Sequence, residues 1–406
     1  MDGMISSKPC WKTVALCAVL GIFASLLLIG CAEKEEPLKQ VNIKIINVNG
    51  MIQDDVFPPL AKQYAAAHSD RIVHCTPETA SSDIQPDELA GLLTGCDAVV
   101  FPSLLNQKCR AQADLFYPIQ DMGDSCPPVL DAAYAGTTQN SNWAVPLVLD
   151  PVVMIVKKNG PNDENPPSSW SAVTMHAQLF NLKPPHLVFI TGDPLSLADS
   201  IAFQQFSAGF KADVLHNAER EEGVTEKDQL GIFARSLMNL KPYMADSAQA
   251  RLQEIPQVKD LQAFFQSNAL ASFCRYSEYL RLPENLQNQM AVFPLPNNYG
   301  PVAVCYVIAA GVPVQSANPA MGEDFIRFLQ KEIQSIALKQ NYLVSHIPSD
   351  NQKGIGVFPP QAVFVPRESG GALSEKLVID AVNGDLGIHE LNSLWMDSFF
   401  IPSAHL

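Results

Sequence analysis

VNIKIINVNG, residues 41–50, is a β-branched run that stops at Asn49-Gly50, and it reads as a strand followed by a turn. Next, Asp55–His68 places Val56, Leu60, Tyr64 and Ala67 at helical spacing. Arg71–Thr76 (RIVHCT) is a second strand, Asp87–Leu93 a short helix, and Asp97–Phe101 (DAVVF) a third strand ended by Pro102. Strands and helices that alternate, with strands apolar almost throughout, predict a parallel α/β sheet covered on both faces.

The pattern continues along the chain. Trp143–Pro146 and Val152–Lys157 (VVMIVK) read as extended segments, and Gly160–Pro167 as a Pro-rich linker. Helices are expected over Ser168–Leu179, Asp199–Phe210, Ile232–Tyr243, Val258–Ser267 and Ala320–Gln340. Strands are expected over Leu187–Ile190, Met290–Pro294 and Val302–Ala310. His216–Asp228 is a charged, solvated stretch, and Ser374–Phe400 reads as helical with a break at Gly384–Gly387.

The 406 residues are 47% hydrophobic and 17% charged, enough apolar material for a large core. With 27 Lys+Arg against 42 Asp+Glu, the net charge of −15 disfavours nucleic acid as a partner. The N-terminus has the three parts of an export signal: Lys8 and Lys12, the apolar run Val14–Ile29, then Leu28-Ile29-Gly30-Cys31 before the polar Ala32-Glu33-Lys34-Glu35-Glu36-Pro37. The tetrapeptide resembles a bacterial lipobox. It implies that residues 1–30 are a signal peptide, that Cys31 carries lipid, and that 31–40 are a tether at the outer face of a membrane. Removal of Asp2, Lys8 and Lys12 takes the 27 basic and 42 acidic side chains to 25 and 41.

Several phrases then occur in a fixed order: Leu115-Phe116-Tyr117-Pro118-Ile119; Trp143-Ala144-Val145-Pro146 with Asp150 and Met154–Lys158; Pro167-Ser168-Ser169-Trp170; Val292-Phe293-Pro294-Leu295-Pro296; Glu323–Gln334; and His346-Ile347-Pro348. Together they resemble the bacterial extracellular solute-binding proteins of the maltose/oligosaccharide type. The departures are Val156-Lys157-Lys158, Ser169-Trp170-Ser171-Ala172-Val173 and Ala269–Phe273.

The resemblance implies a two-lobed α/β periplasmic-binding-protein fold of type II, each lobe a mostly parallel sheet flanked by helices. Lobe 1 would be 41–148 plus 301–348, and lobe 2 149–300 plus 349–406. Crossovers would fall near Pro146–Pro151, near Pro294–Pro301 and near Pro348. It also implies a monomer that captures a small solute, a sugar or oligosaccharide first, and delivers it to the permease of an ABC importer. No cofactor or metal is implied. Iron, polyamine or phosphonate cargo, or a sensor role, are the alternatives.

Ligands of open α/β sheets lie at strand C-termini. That nominates Asn49, Gly50, Phe101, Ser103, Asp150, Asp193, Arg275 and Tyr276 as solute contacts. Acids accept hydrogen bonds from hydroxyls, and an aromatic face covers the apolar side of a sugar. The same residues suit plainer roles. Asp150 and Asp193 precede prolines, where an Asx turn or a helix cap is common, and Tyr276 and Trp143 suit packing. No GxSxG, HExxH, Walker or GxGxxG motif is present, so an enzyme would need two carboxylates such as Asp150 and Asp193 facing each other.

Six cysteines follow Cys31, which allows 15 pairings. In the implied fold Cys75 closes strand two and Cys96 opens strand three, at opposite sheet ends, while Cys274 and Cys305 fall in different lobes. That leaves Cys109–Cys126 as the expected disulfide, worth roughly 3 kcal/mol.

Overall fold

The structure is a computed structural model that describes residues 38–48, 50–52, 56–81, 84–110, 115–120, 133–136, 141–158, 189–190, 257–294, 302–337, 343–344, 363–366 and 385. The signal, the tether, Asn49, Cys126, Asp193, the Pro-rich linker, the Pro348 crossover and the expected elements between residues 168 and 243 and after 374, apart from the short strand at 189–190, lie outside the described residues.

The first alternation holds. β1 (Lys39–Val48) leads through α1 (Phe57–Ala67) to β2 (Arg71–Ala80), then α2 (Pro86–Leu93) and β3 (Ala98–Pro102). β1 lies between β2 and β3, parallel to both. Prolines open α1 and α2, where a missing N–H costs nothing, and Gln85 and Glu88 form a capping box on α2. α1 buries Phe57, Leu60, Ala61 and Tyr64, one face of the helix. β2 is longer than expected and carries Pro77, which it tolerates as the outermost strand of the sheet.

That extra length corrects the reading of the cysteines. Cys75 is not at the end of β2 but opposite Ile43, which in turn faces Ala98. Cys75 and Cys96 are therefore kept apart by the width of β1 rather than by the length of the sheet, roughly 10 Å for two strand spacings.

After the short α3 (Asn106–Arg110) and the paired β4 (Ile119–Gln120) and β5 (Ser141–Asn142) comes β6 (Val145–Lys157). Two extended segments were expected here, broken by prolines. The structure joins them into one strand of 13 residues, buried at every position but Lys157. Pro146 is accommodated beside a register shift between Ile308 and Ala309 of the neighbouring strand, where a ladder hydrogen bond is already lost.

The rest of the described chain is β7 (Phe189–Ile190), β8 (Gln257–Val258), α4 (Leu261–Gln266), β9 (Ala271–Arg275), α5 (Tyr276–Leu280), α6 (Glu284–Gln287), β10 (Met290–Pro294), β11 (Val302–Gly311), α7 (Pro319–Ala337), β12 (Leu343–Val344) and β13 (Val363–Pro366).

β6 belongs to two sets of strands. Val145–Pro151 pairs antiparallel with β11, which continues to β3 and so to β1 and β2; β12 also lies along Val148 and Leu149. From Val152 onward the partners are β9 and β10, both antiparallel. The partner set changes between Pro151 and Val152, within the expected first crossover. The second passage lies between Pro294 of β10 and Val302 of β11, again where expected. The sheet is thus parallel around β1 and antiparallel around β6, with β11 antiparallel to β3 and β6 and parallel to β13, a mixed α/β arrangement.

α7 covers the first set by burying Phe325, Ile326, Leu329 and Ile333 against Val41, Ile43, Val100 and Leu147. At its edge Tyr64 donates to Asp324 Oδ2 at 2.8 Å, and Arg71 bonds both groups. Burial would raise the Asp324 carboxyl, but the bonds from Arg71 and Tyr64 and the charges of Arg71 and His68 outweigh it and hold it below the usual carboxylate range. A carboxylate depressed on folding stabilises the fold above the unfolded Asp value of about 3.9 and loses that contribution as pH falls through the lower folded value. Urea melts of wild type and Asp324→Asn are therefore expected to differ at pH 7 and to converge as pH falls through the lowered Asp324 value. A difference that does not narrow with acid would contradict this.

Candidate functional site

The joint of β6 gathers three of the residues nominated from sequence. Asp150 is the last residue but one of β6 before the partner change, and it is only 4% exposed. An acid so placed must be bonded, because an unpaired buried charge is costly. Ser277 supplies the bonds: its backbone N–H donates to Oδ1 at 3.0 Å and its hydroxyl to Oδ2 at 2.6 Å. Arg275 Nε lies 3.9 Å from Oδ2, and the same guanidinium donates to Glu278 Oε1 at 2.7 Å. Burial pushes the Asp150 carboxyl up; the Arg275 charge and the two Ser277 bonds act in the opposite sense without cancelling it.

Ser277 is placed by the start of α5. β9 ends at Arg275, opposite Val152, and the chain turns directly into the helix. Arg275 N–H donates to Glu278 Oε2 at 3.2 Å, so Glu278 caps the helix it belongs to. Tyr276 is 8% exposed and stacks on Tyr279 with ring centroids 6.2 Å apart. Burial raises its phenol.

On the other side of β11 stands Ser103. Its hydroxyl accepts the Val307 N–H at 3.2 Å, while the neighbouring Tyr306 lies opposite Asp150. Ser103 and Asp150 thus flank one strand, roughly 10 Å apart by strand spacing. Beyond β11, Phe101 on β3 stacks on Trp143 at 5.9 Å and 18°, with Phe116 5.8 Å from Phe101 and Tyr134 tilted against Trp143 at 5.2 Å. Gly50 follows β1 with φ +72°, a conformation that suits a residue without Cβ, and Met51 N–H closes the turn onto Val48.

The structure therefore brings Asp150, Arg275 and Tyr276 together at the joint, with Ser103 one strand away and Phe101 and Gly50 at the ends of β3 and β1. Asn49 and Asp193 lie outside the described residues, as does Cys126; Cys109 is buried on α3. Ser277 and Glu278 went unread in the sequence. Their one local signal is the Arg275/Glu278 spacing of a helix start. Asn106, which donates to the Tyr134 hydroxyl at 2.9 Å, had no such signal. Among the described residues no group of three His, Cys, Asp or Glu side chains could hold a metal ion.

Comparison with known proteins places this geometry. The family model for bacterial extracellular solute-binding proteins matches residues 53–342. Among solved structures, the GacH receptor of Streptomyces glaucescens, determined unliganded and with acarbose, is 16% identical with a TM-score of 0.63, over 89% of this chain and 98% of its own. Thermotoga maritima MalE3 with maltose bound is 14% identical with a TM-score of 0.61, over 88% and 100%. The cyclic α-maltosyl-1,6-maltose binding protein of Arthrobacter globiformis is 13% identical with a TM-score of 0.57, over 87% and 96%. No curated protein sequence matches. At these identities the structural likeness speaks for the fold.

Proposed function

The chain belongs to the bacterial extracellular solute-binding protein family, receptors rather than enzymes, and we propose that it captures a neutral saccharide between two lobes and delivers it to the permease of an ABC importer. The observation that supports this most is β6, bonded to β11 up to Pro151 and to β9 and β10 from Val152. Two strand sets that share one strand can turn about the point of sharing, and a few residues there absorb the backbone change. In this reading lobe 1 is 41–148 plus 301–348 and lobe 2 is 149–300 plus 349–406, with β13 lying along Val302–Cys305 beside the joint.

The proposed solute contacts are Gly50, Phe101 and Ser103 from lobe 1 and Arg275 and Tyr276 from lobe 2, with Asn49 and Asp193. The acarbose and maltose complexes of the structural neighbours favour a saccharide over iron, polyamine or phosphonate. The proposed anchor is lipid on Cys31 after loss of residues 1–30, with 31–40 as tether, the working form a monomer, and Cys109–Cys126 its disulfide.

Isothermal titration with maltose and with galactose tests the saccharide. Saturable binding to at least one is expected, and Tyr276→Ala is expected to weaken it about tenfold through loss of the aromatic face. Binding to neither sugar would remove the saccharide and leave the family assignment standing. Unchanged affinity in Tyr276→Ala would move the site away from the end of β9.

A further inference from the structure

We propose that Asp150 is a positioning residue rather than a solute contact: its carboxylate latches the β11-paired part of the shared strand β6 to the first turn of α5, across the point where the strand changes partners.

The argument starts from where the acid sits. Asp150 is the only ionisable residue of β6 before Lys157, and it occupies the last position but one before the strand changes partners. Sequence reasoning pointed it at the solute because acids at crossovers suit hydroxyl recognition. The structure turns it to Ser277, 127 residues away along the chain.

What it bonds there is informative. The first N–H groups of a helix have no partner within the helix and need an acceptor from elsewhere. A negative group at that end is also favoured by the helix dipole. α5 has five residues, too few to hold together by itself. Ser277 N–H is one of those first groups, and its acceptor comes from β6. Glu278 covers the Arg275 N–H, so Asp150 and Glu278 share the helix start between them. Arg275 lies between the two acids, 3.9 Å from Asp150 and 2.7 Å from Glu278, and counters their charge. The group is buried at its centre.

The latch spans the joint: Asp150 faces Tyr306 of β11 in the first set, and Ser277 follows β9 of the second. It ties β6 to β9 and α5. On the route through β10 and β11 the chain leaves the second set at Pro294 and enters the first at Val302. Rotation about Pro151 and Val152 would move Ser277 against Asp150, so the latch holds the ligand-free arrangement of the two sets. The latch deepens the hinge reading above and rests on it.

Hydrogen exchange and small-angle X-ray scattering on the full chain separate the two. Asp150→Ala is expected to speed exchange of the α5 amides, residues 276–280, by about tenfold, the effect of losing a helix cap. Amides of β1 and α7 should exchange as in wild type, and the radius of gyration of the ligand-free protein should rise as the two sets uncouple. Asp150→Asn, which keeps an acceptor for the Ser277 N–H, should restore most of the protection. If Asp150→Ala folds poorly, Ser277→Ala removes only the hydroxyl and should give the same pattern in weaker form. Unchanged α5 exchange would overturn the latch. Equal acceleration in β1 and α7 would overturn it too, by showing a general loss of core. Faster α5 exchange with an unchanged radius of gyration would leave the latch and overturn the hinge.

Discussion

Gly322→Ala is expected to destabilise the fold by about 2–4 kcal/mol, although helix propensity alone would make it stabilising by about 1 kcal/mol. Gly322 lies in the first turn of α7, where the helix crosses the start of β3. A methyl group there would stand 1.9 Å from the Asp97 carbonyl oxygen and 2.8 Å from its carbon. Both are backbone atoms of a residue held on every side, so no side chain can swing away. The helix would have to lift, and Phe325, Ile326 and Leu329 would lose their seats on the sheet. Gly91 in α2 is the internal control, since a methyl group there meets nothing within 4 Å. Gly91→Ala should stabilise by up to about 1 kcal/mol. Urea denaturation of the two variants reads both signs. Stabilisation by Gly322→Ala would mean that α7 does not dock as described.

Asp97→Ala is expected to cost about 3–5 kcal/mol. The Asp97 residue is 1% exposed, and its carboxylate accepts three hydrogen bonds. Asn42 N–H reaches Oδ2 at 2.9 Å, while the Ser316 hydroxyl at 2.8 Å and Asn318 N–H at 3.0 Å share Oδ1. One side chain thus ties β1 to the loop that opens α7. Removal takes the acceptor from the half-buried Asn42 N–H and leaves the Asn318 N–H only the Ser316 hydroxyl at 3.0 Å, each loss worth roughly 1–3 kcal/mol. Asp97→Asn keeps one acceptor but presents its amide N–H₂ to one of the donors, so about half the loss should remain. If Asp97→Ala and Asp97→Asn melt together near wild type, the carboxylate is not the tie.

The parts of this fold that were legible in sequence are those dictated by near neighbours. Val41–Val48 and the Val56, Leu60, Tyr64 spacing act within a few residues, and each produced the expected element. β6 was legible only in halves. Pro146 and Pro151 read as breaks, because what lets a strand continue through them is the irregular pairing with β11, whose register skips Leu147, and the change of partners to β9 and β10, all supplied from more than 100 residues downstream. The candidate site divides the same way. Gly50, Phe101 and Ser103 stand at strand ends because strand ends were readable. The partner of Asp150 was not, since nothing local in Leu149-Asp150-Pro151 points to Ser277. Trp143 suited the core, and it is buried there among Phe101, Phe116 and Tyr134.

The most direct measurement is a thermal-shift screen of the domain that begins after Cys31, against mono- and oligosaccharides, ferric iron, polyamines and phosphonates. A ligand that binds only the folded state adds about 2.7 kcal/mol at a concentration of 100 Kd, a rise of a few degrees in Tm. A shift confined to saccharides is the result expected here. A shift with iron, a polyamine or a phosphonate and none with any sugar would contradict it.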